Sequence, residues 1–205
     1  MFEVLNHYKA KIESSKITDS LSLTAHNYFV VSTHREENVD NPGNLKKILL
    51  ILNQIAENYK LPVIVTTHPR TRKRLEENNG IRMNSQVRFL KPFGFTDYIN
   101  LQMNALCTIS DSGTISEESA ILKFPAISIR NSMERPEAQD AGSIILTGFN
   151  PEVILNAIKM VIHESREHSE RQTPADYQVP DTSWRVLKLI QGLSSLSNMW
   201  HGVVK

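Results

Sequence analysis

Apolar positions along the chain alternate between two spacings. Phe2, Leu5, Tyr8 and Ile12 recur at helical intervals among Lys and Glu, which predicts an amphipathic helix over residues 1–16. A polar stretch, ITDSLSLTAHN, follows as a connector. The run YFVVST (28–33) is β-branched and aromatic throughout and reads as a strand buried on both faces. Asn41-Pro42 supplies a cap and a first-turn proline, and Leu45, Ile48, Leu49, Leu52 and Ile55 then mark one face of a helix. Downstream the pattern predicts strands at 63–66, 87–90, 106–109, 126–129 and 143–146. Helices are expected between them at 70–78, 96–104 and 114–122, then at 151–163. Residues 164–182 read as a polar connector with Pro174 and Pro180. A last helix is expected at 183–193, with Trp184, Leu187 and Ile190 three apart. Strands alternating with helices predict an α/β fold, a Rossmann-like, doubly wound parallel sheet with a helical extension at each end.

Composition narrows the function classes. At 205 residues the chain fits one domain, or a domain with a short extension. A single cysteine excludes a disulfide framework and a cysteine-based zinc site, and Cys107 falls in an expected strand as core. A formal net charge of +1 argues against a nucleic-acid binder that works by bulk phosphate neutralisation. No apolar run approaches the roughly 20 residues that cross a bilayer. The first residues, MFEVLNHYKAKIESSK, lack the apolar centre of a signal peptide. The expectation is a soluble cytoplasmic protein without a membrane partner.

In open α/β sheets, ligands bind beyond the carboxyl ends of the strands. The unusual polar residues gather there: His34-Arg35-Glu36-Glu37-Asn38, then His68-Pro69-Arg70, Ser110-Asp111-Ser112-Gly113-Thr114, and Arg130 with Glu134-Arg135-Pro136-Glu137. Ser110–Thr114 has the clearest meaning. A small-residue turn leads straight into a helix, so backbone N–H groups face an incoming anion, and Ser112 and Thr114 add hydroxyls. Glu117 and Glu118 follow one turn later, placed to accept from sugar hydroxyls. An ordinary capped helix explains the same residues equally well. His34 and Arg35 offer two donors opposite that helix start, and Glu36 or Glu37 would brace Arg35. His68 and Arg70 either line the cleft or cap the next helix. Phe95 and Tyr98 each offer a ring for a base to stack on, Phe95 being the better core residue. Arg130, Glu134, Arg135 and Glu137 form a charged loop or a surface salt-bridge cluster. The chain lacks G-x-G-x-x-G, a Walker P-loop, H-E-x-x-H and G-x-S-x-G. His163 and His168, five apart, form neither a metal pair nor a triad.

Taken together, THREENVDNP, TTHPRTRKRL, SDSGTISEES and the ERPEA run resemble the C-terminal half of the non-hydrolysing UDP-N-acetylglucosamine 2-epimerases. The H-R-E-E-N-V-D form, the T-H-P-R-T segment and Thr114 resemble in particular the UDP-N-acetyl-L-fucosamine synthase subgroup. The resemblance implies half of a glycosyltransferase-B-type fold, with a UDP-sugar in the cleft between two Rossmann-like domains. The implied chemistry is elimination of UDP across C1–C2 and its return with inversion at C2, without metal or cofactor. Residue by residue, it places His34 at the diphosphate as a catalytic group, with Arg35 beside it. It places Ser112 and Gly113 at the helix-start diphosphate contacts, Glu118 on the ribose, Tyr98 near uracil and Arg130 near the nucleotide. His68, Arg70, Glu134 and Arg135 are secondary candidates.

The same resemblance divides the chain into a linker helix and connector (1–27), a UDP-binding domain (28–168), and a connector with a crossover helix (169–205). Most of the family's proton-transfer residues lie in the N-terminal domain, outside this chain. The chain alone is therefore expected to be inactive as an epimerase. The apolar faces of its end helices (Phe2, Leu5, Trp184, Ile190, Trp200) are expected to be exposed, and to drive self-association or docking of a separately encoded N-terminal half. The alternatives are the nucleotide-binding domain of a glycosyltransferase of the same fold, or a non-catalytic nucleotide-sugar-binding module.

Overall fold

The structure, a computed structural model, describes residues 1–67, 71, 72, 74, 81–167 and 173–202. Six strands form one parallel sheet: β1 (Phe29–Ser32), β2 (Val63–Thr66), β3 (Val87–Leu90), β4 (Cys107–Ser110), β5 (Ala126–Ser128) and β6 (Ile145–Leu146). Their spatial order is β3-β2-β1-β4-β5-β6. β1 and β4 pair in register, Phe29 with Cys107 through Ser32 with Ser110. The chain winds outward in both directions from this pair, so the strand order reverses between β1 and β4. A crevice opens at the carboxyl ends of strands flanking such a reversal.

The continuous apolar run of β1 follows from burial on both faces. Phe29 and Val31 join α4 (Pro42–Tyr59) and α8 (Pro151–Glu167) in the larger core cluster. Tyr28 and Val30 point the other way, against Leu101 of α5 (Phe95–Met103). α4 starts where the sequence predicts: Asn41 accepts from the N–H groups of Gly43 (2.9 Å) and Asn44 (3.2 Å), with Pro42 in the first turn. α6 (Ile115–Leu122) sits on the α5 side, on a cluster that includes Ala126 and Tyr177.

Several expectations are corrected. The first helix, α1, ends at Glu13, and a separate turn of helix, α2 (Ile17–Ser20), begins the supposed connector. Leu5 is buried, not exposed: with Ile12 it packs on Ile99 of α5. The 164–182 connector is partly structured, since α8 runs to Glu167 and a 3₁₀ turn at Ala175–Gln178 buries Tyr177. The short helices α3 (Glu36–Val39) and α7 (Pro136–Asp140) carry too few apolar residues to show a period. The strand expected at 143–146 contracts to two residues. The helix expected at 70–78, and His168, fall largely or wholly outside the described residues.

The C-terminal end fulfils the exposure expected of it. α9 (Thr182–Leu193) buries none of its side chains, and α10 (Ser197–Trp200) follows it. Trp184, Ile190 and Trp200 are 62%, 55% and 62% exposed. The carboxylate of Glu3 in α1 accepts from the N–H groups of Asp181 and Thr182, both at 3.1 Å, and so ties the start of α9 to α1. Among the described residues, no helix is long and apolar enough to cross a membrane.

Candidate functional site

The site is built where β1 and β4 end side by side. Beyond Ser110, the chain turns through Asp111-Ser112-Gly113 into α6. The N–H of Ser112 donates to the Ser110 hydroxyl (3.0 Å), and the Ser112 and Thr114 hydroxyls lie 2.9 Å apart. Thr114 stands at the N-cap without a side-chain cap bond, which leaves first-turn N–H groups of α6 to an outside acceptor. Gly113 is where the charged loop comes closest to this turn. A Cβ there would lie 2.7 Å from Arg135 Nη1 and 3.2 Å from Glu134 Oε2, inside the space the charged loop occupies.

Asp111 is the buried hub. Its carboxylate accepts from the backbone N–H groups of His34 (3.1 Å) and Arg35 (3.1 Å) and from Asn38 Nδ2 (2.8 Å). This ties the loop after β1 to the loop after β4. Arg35 Nε donates to the Asp111 carbonyl (2.9 Å), which fixes the guanidinium along the crevice. Two arginines share Glu134. Arg35 Nη2 reaches both of its carboxylate oxygens (2.9 and 3.0 Å), and the buried Arg130 donates at 2.6 Å. These guanidiniums, Arg130 first and Arg35 second, hold the exposed Glu134 carboxyl at about 2, far below the usual range. Arg135 in turn pairs with Glu117 at 3.0 Å. Glu134, from the loop after β5, is thus a carboxylate that clamps Arg35 across the crevice. The arginines are not a surface cluster, because Arg130 is buried.

Glu118 is also buried, one turn into α6. Gln102 Nε2 donates to it at 3.1 Å. Burial pushes its carboxyl up, and hydrogen bonds from Thr114 and Gln102 offset this in part. A buried carboxyl in the first turns of a helix at the crevice is placed to accept from a polyol. Tyr98 is half-buried, its ring packed near Tyr28, Val30 and Leu101. Its hydroxyl reaches Ser32 and Gln102, and burial raises it well above an ordinary phenol. Phe95 takes the opposite role from the one expected: it is 40% exposed and meets Tyr8 edge-to-face at 5.9 Å.

The structure therefore brings His34, Arg35, Ser112, Gly113, Arg130, Glu134 and Arg135 to one crevice, with Glu118 in the first turns of the same helix. His68 and Arg70 lie outside the described residues. No group of three or more His, Cys, Asp or Glu among the described residues is arranged to hold a metal ion. Sequence reasoning missed Asp111, Asn38 and Gln102. Asp111 lies inside the motif, but its partners are 73–77 residues away, where no local pattern shows them.

Fold and crevice together define a Rossmann-like α/β domain with its polar groups at the topological switch point. Residues 1–191 match the family model for UDP-N-acetylglucosamine 2-epimerase, and the chain belongs to that family. It is 38% identical over 142 residues to a UDP-N-acetylglucosamine 2-epimerase of Methanocaldococcus jannaschii, covering 68% of this chain and 39% of that protein. Among solved structures, a UDP-N-acetylglucosamine 2-epimerase from Rickettsia bellii superposes with a TM-score of 0.83 at 40% identity. That match covers 96% of this chain and 52% of the other. The M. jannaschii epimerase in complex with UDP-GlcNAc and UDP gives 0.77 at 30% identity, covering 89% and 50%. An Escherichia coli ADP-heptose heptosyltransferase II, at 10% identity and TM-score 0.55, shares the fold alone. The chain spans about half the length of the relatives it matches.

Proposed function

We propose that this chain is the UDP-binding, C-terminal half of a UDP-N-acetylhexosamine 2-epimerase. The observation that carries the reading is the crevice between β1 and β4, where an open helix start faces His34 and the fixed guanidinium of Arg35. A diphosphate seated there meets N–H groups on one side and cationic donors on the other. Ser112 and Gly113 contact it from the turn, and Arg130, paired with Glu134, lies near the nucleotide. Glu118 accepts from the ribose hydroxyls, and Tyr98 lies near the uracil. No metal or redox cofactor enters this chemistry.

The reaction is elimination of UDP across C1–C2 to a 2-acetamidoglycal, followed by re-addition with C2 inverted. It requires a base for the C2 proton and stabilisation of the departing diphosphate. This half supplies the diphosphate site and His34. A complementary N-terminal half supplies the remaining acid–base groups. It docks on the apolar side of α9 and the exposed Tyr8–Phe95 edge of α1 and α5. The sugar is a UDP-N-acetylhexosamine, either UDP-GlcNAc itself or the 6-deoxy counterpart of the subgroup that the H-R-E-E-N-V-D segment resembles. Such chemistry belongs to the cytoplasmic supply of precursors for bacterial surface polysaccharides.

Incubation with UDP-GlcNAc or its 6-deoxy counterpart, with C2 configuration followed by proton NMR, tests the division of labour. The chain alone is expected to give no epimer. Addition of a separately produced N-terminal half is expected to give turnover. Robust turnover by the chain alone contradicts the reading, as does failure of the reconstituted pair to form.

A further inference from the structure

The crevice contains a histidine–carboxylate pair whose geometry specifies more than binding. Asp111 is completely buried at the end of β4. Three donors converge on its Oδ2: the N–H of His34 (3.1 Å), the N–H of Arg35 (3.1 Å) and Asn38 Nδ2 (2.8 Å). Its Oδ1 is 3.2 Å from the His34 N–H and 3.3 Å from the Nδ1 of the His34 ring. A carboxylate has no hydrogen to donate. At 3.3 Å from a carboxylate oxygen a hydrogen on Nδ1 is favoured over a second lone pair, and the lone pair of the neutral imidazole then falls on Nε2. The His34 side chain is 51% exposed, while that of Asp111 is wholly buried.

We propose that Asp111 is a positioning residue that holds His34 as the Nδ1–H tautomer and so leaves Nε2 as the acceptor of this half-exposed ring. Carboxylates that accept from the far nitrogen of an imidazole fix its tautomer in this way at other sites. The same oxygens hold the backbone on which the ring is mounted. Ring orientation and tautomer are thus set by one side chain from the neighbouring strand. The consequence for catalysis rests on the reading of His34 given above; the tautomer does not.

The test is a long-range proton–nitrogen correlation spectrum of the ¹⁵N-labelled chain, above the pH at which its imidazoles titrate. His34 is assigned among the 7 histidines by the signal lost in His34→Gln. The expected pattern is a protonated Nδ1 and an unprotonated Nε2. In Asp111→Asn the amide oxygen takes the place of Oδ2, where three donors require an acceptor, and the NH₂ group faces Nδ1. His34 is then expected to switch to the Nε2–H tautomer. An Nε2–H tautomer in the unsubstituted chain overturns the proposal, and so does an unchanged tautomer in a folded Asp111→Asn. If that variant does not fold, the unsubstituted spectrum still decides. UDP titration of the unsubstituted chain separates the two readings. Absent UDP binding with the expected tautomer removes the nucleotide site and leaves the positioning role; UDP binding with the wrong tautomer does the reverse.

Discussion

Replacing Trp184 and Ile190 together by Asp is expected to leave the melting temperature of the chain within about 2 °C of its starting value while abolishing reconstituted epimerase turnover. Both side chains are more than half exposed, and α9 packs none of its residues against the sheet, so no folded-state burial is lost. Helices of this length are marginal in water unless an apolar face is covered, which makes a partner surface the natural source of the stability of α9. The Glu3 carboxylate fixes where α9 begins, and so fixes which side of the molecule the face presents. A charge in the centre of an apolar contact costs several kcal/mol, enough to eliminate a reconstituted complex at micromolar concentration. Light scattering reads the competing occupant: if α9 pairs with a second copy, the unsubstituted chain dimerises and the double variant is monomeric. Full turnover by the double variant contradicts the docking face.

Glu118→Gln is expected to act on stability and binding in opposite directions. Burial raises the Glu118 carboxyl in the folded chain above its unfolded value. The folded state therefore holds its proton more tightly, and this group's effect on stability becomes less favourable as pH rises from the ordinary carboxylate range through the raised folded value. Burial disfavours the charged form of this group, and the neutral, nearly isosteric amide removes that penalty. The variant should melt higher than the unsubstituted chain at pH 7, with the difference closing as pH falls through that window. Loss of a charged acceptor for the ribose costs about 1.5–3 kcal/mol, or about ten- to a hundredfold in UDP affinity. Thermal melts across pH, paired with UDP calorimetry, check both halves. A variant that melts lower and binds UDP unchanged assigns Glu118 to structure alone.

The sheet was legible because its signals are local. YFVVST, Asn41-Pro42 and the strand-end clusters each announce themselves within a few residues, and the rule that ligands gather at strand carboxyl ends then marks the crevice. What was not legible is held together over long sequence distances. Asp111 looks like one more turn residue until β1 brings His34, Arg35 and Asn38 to it. Glu134 clamps an arginine 99 residues away. Phe95 left its expected core position because α1 packs on α5 and leaves it at the rim beside Tyr8. The burial of Leu5 has the same cause. Periodicity names the face of a helix that is apolar, but not the element that covers it.

The most direct test of the nucleotide site is calorimetric titration of the unsubstituted chain with UDP, repeated with Gly113→Ala. The added methyl meets only the flexible end of Arg135 and the Glu134 carboxylate, so the variant is expected to fold normally. The expected result is saturable binding of one UDP per chain, weakened at least tenfold by the methyl at the diphosphate turn. No heat of UDP binding, or equal affinity in the two chains, would contradict a diphosphate site at the start of α6.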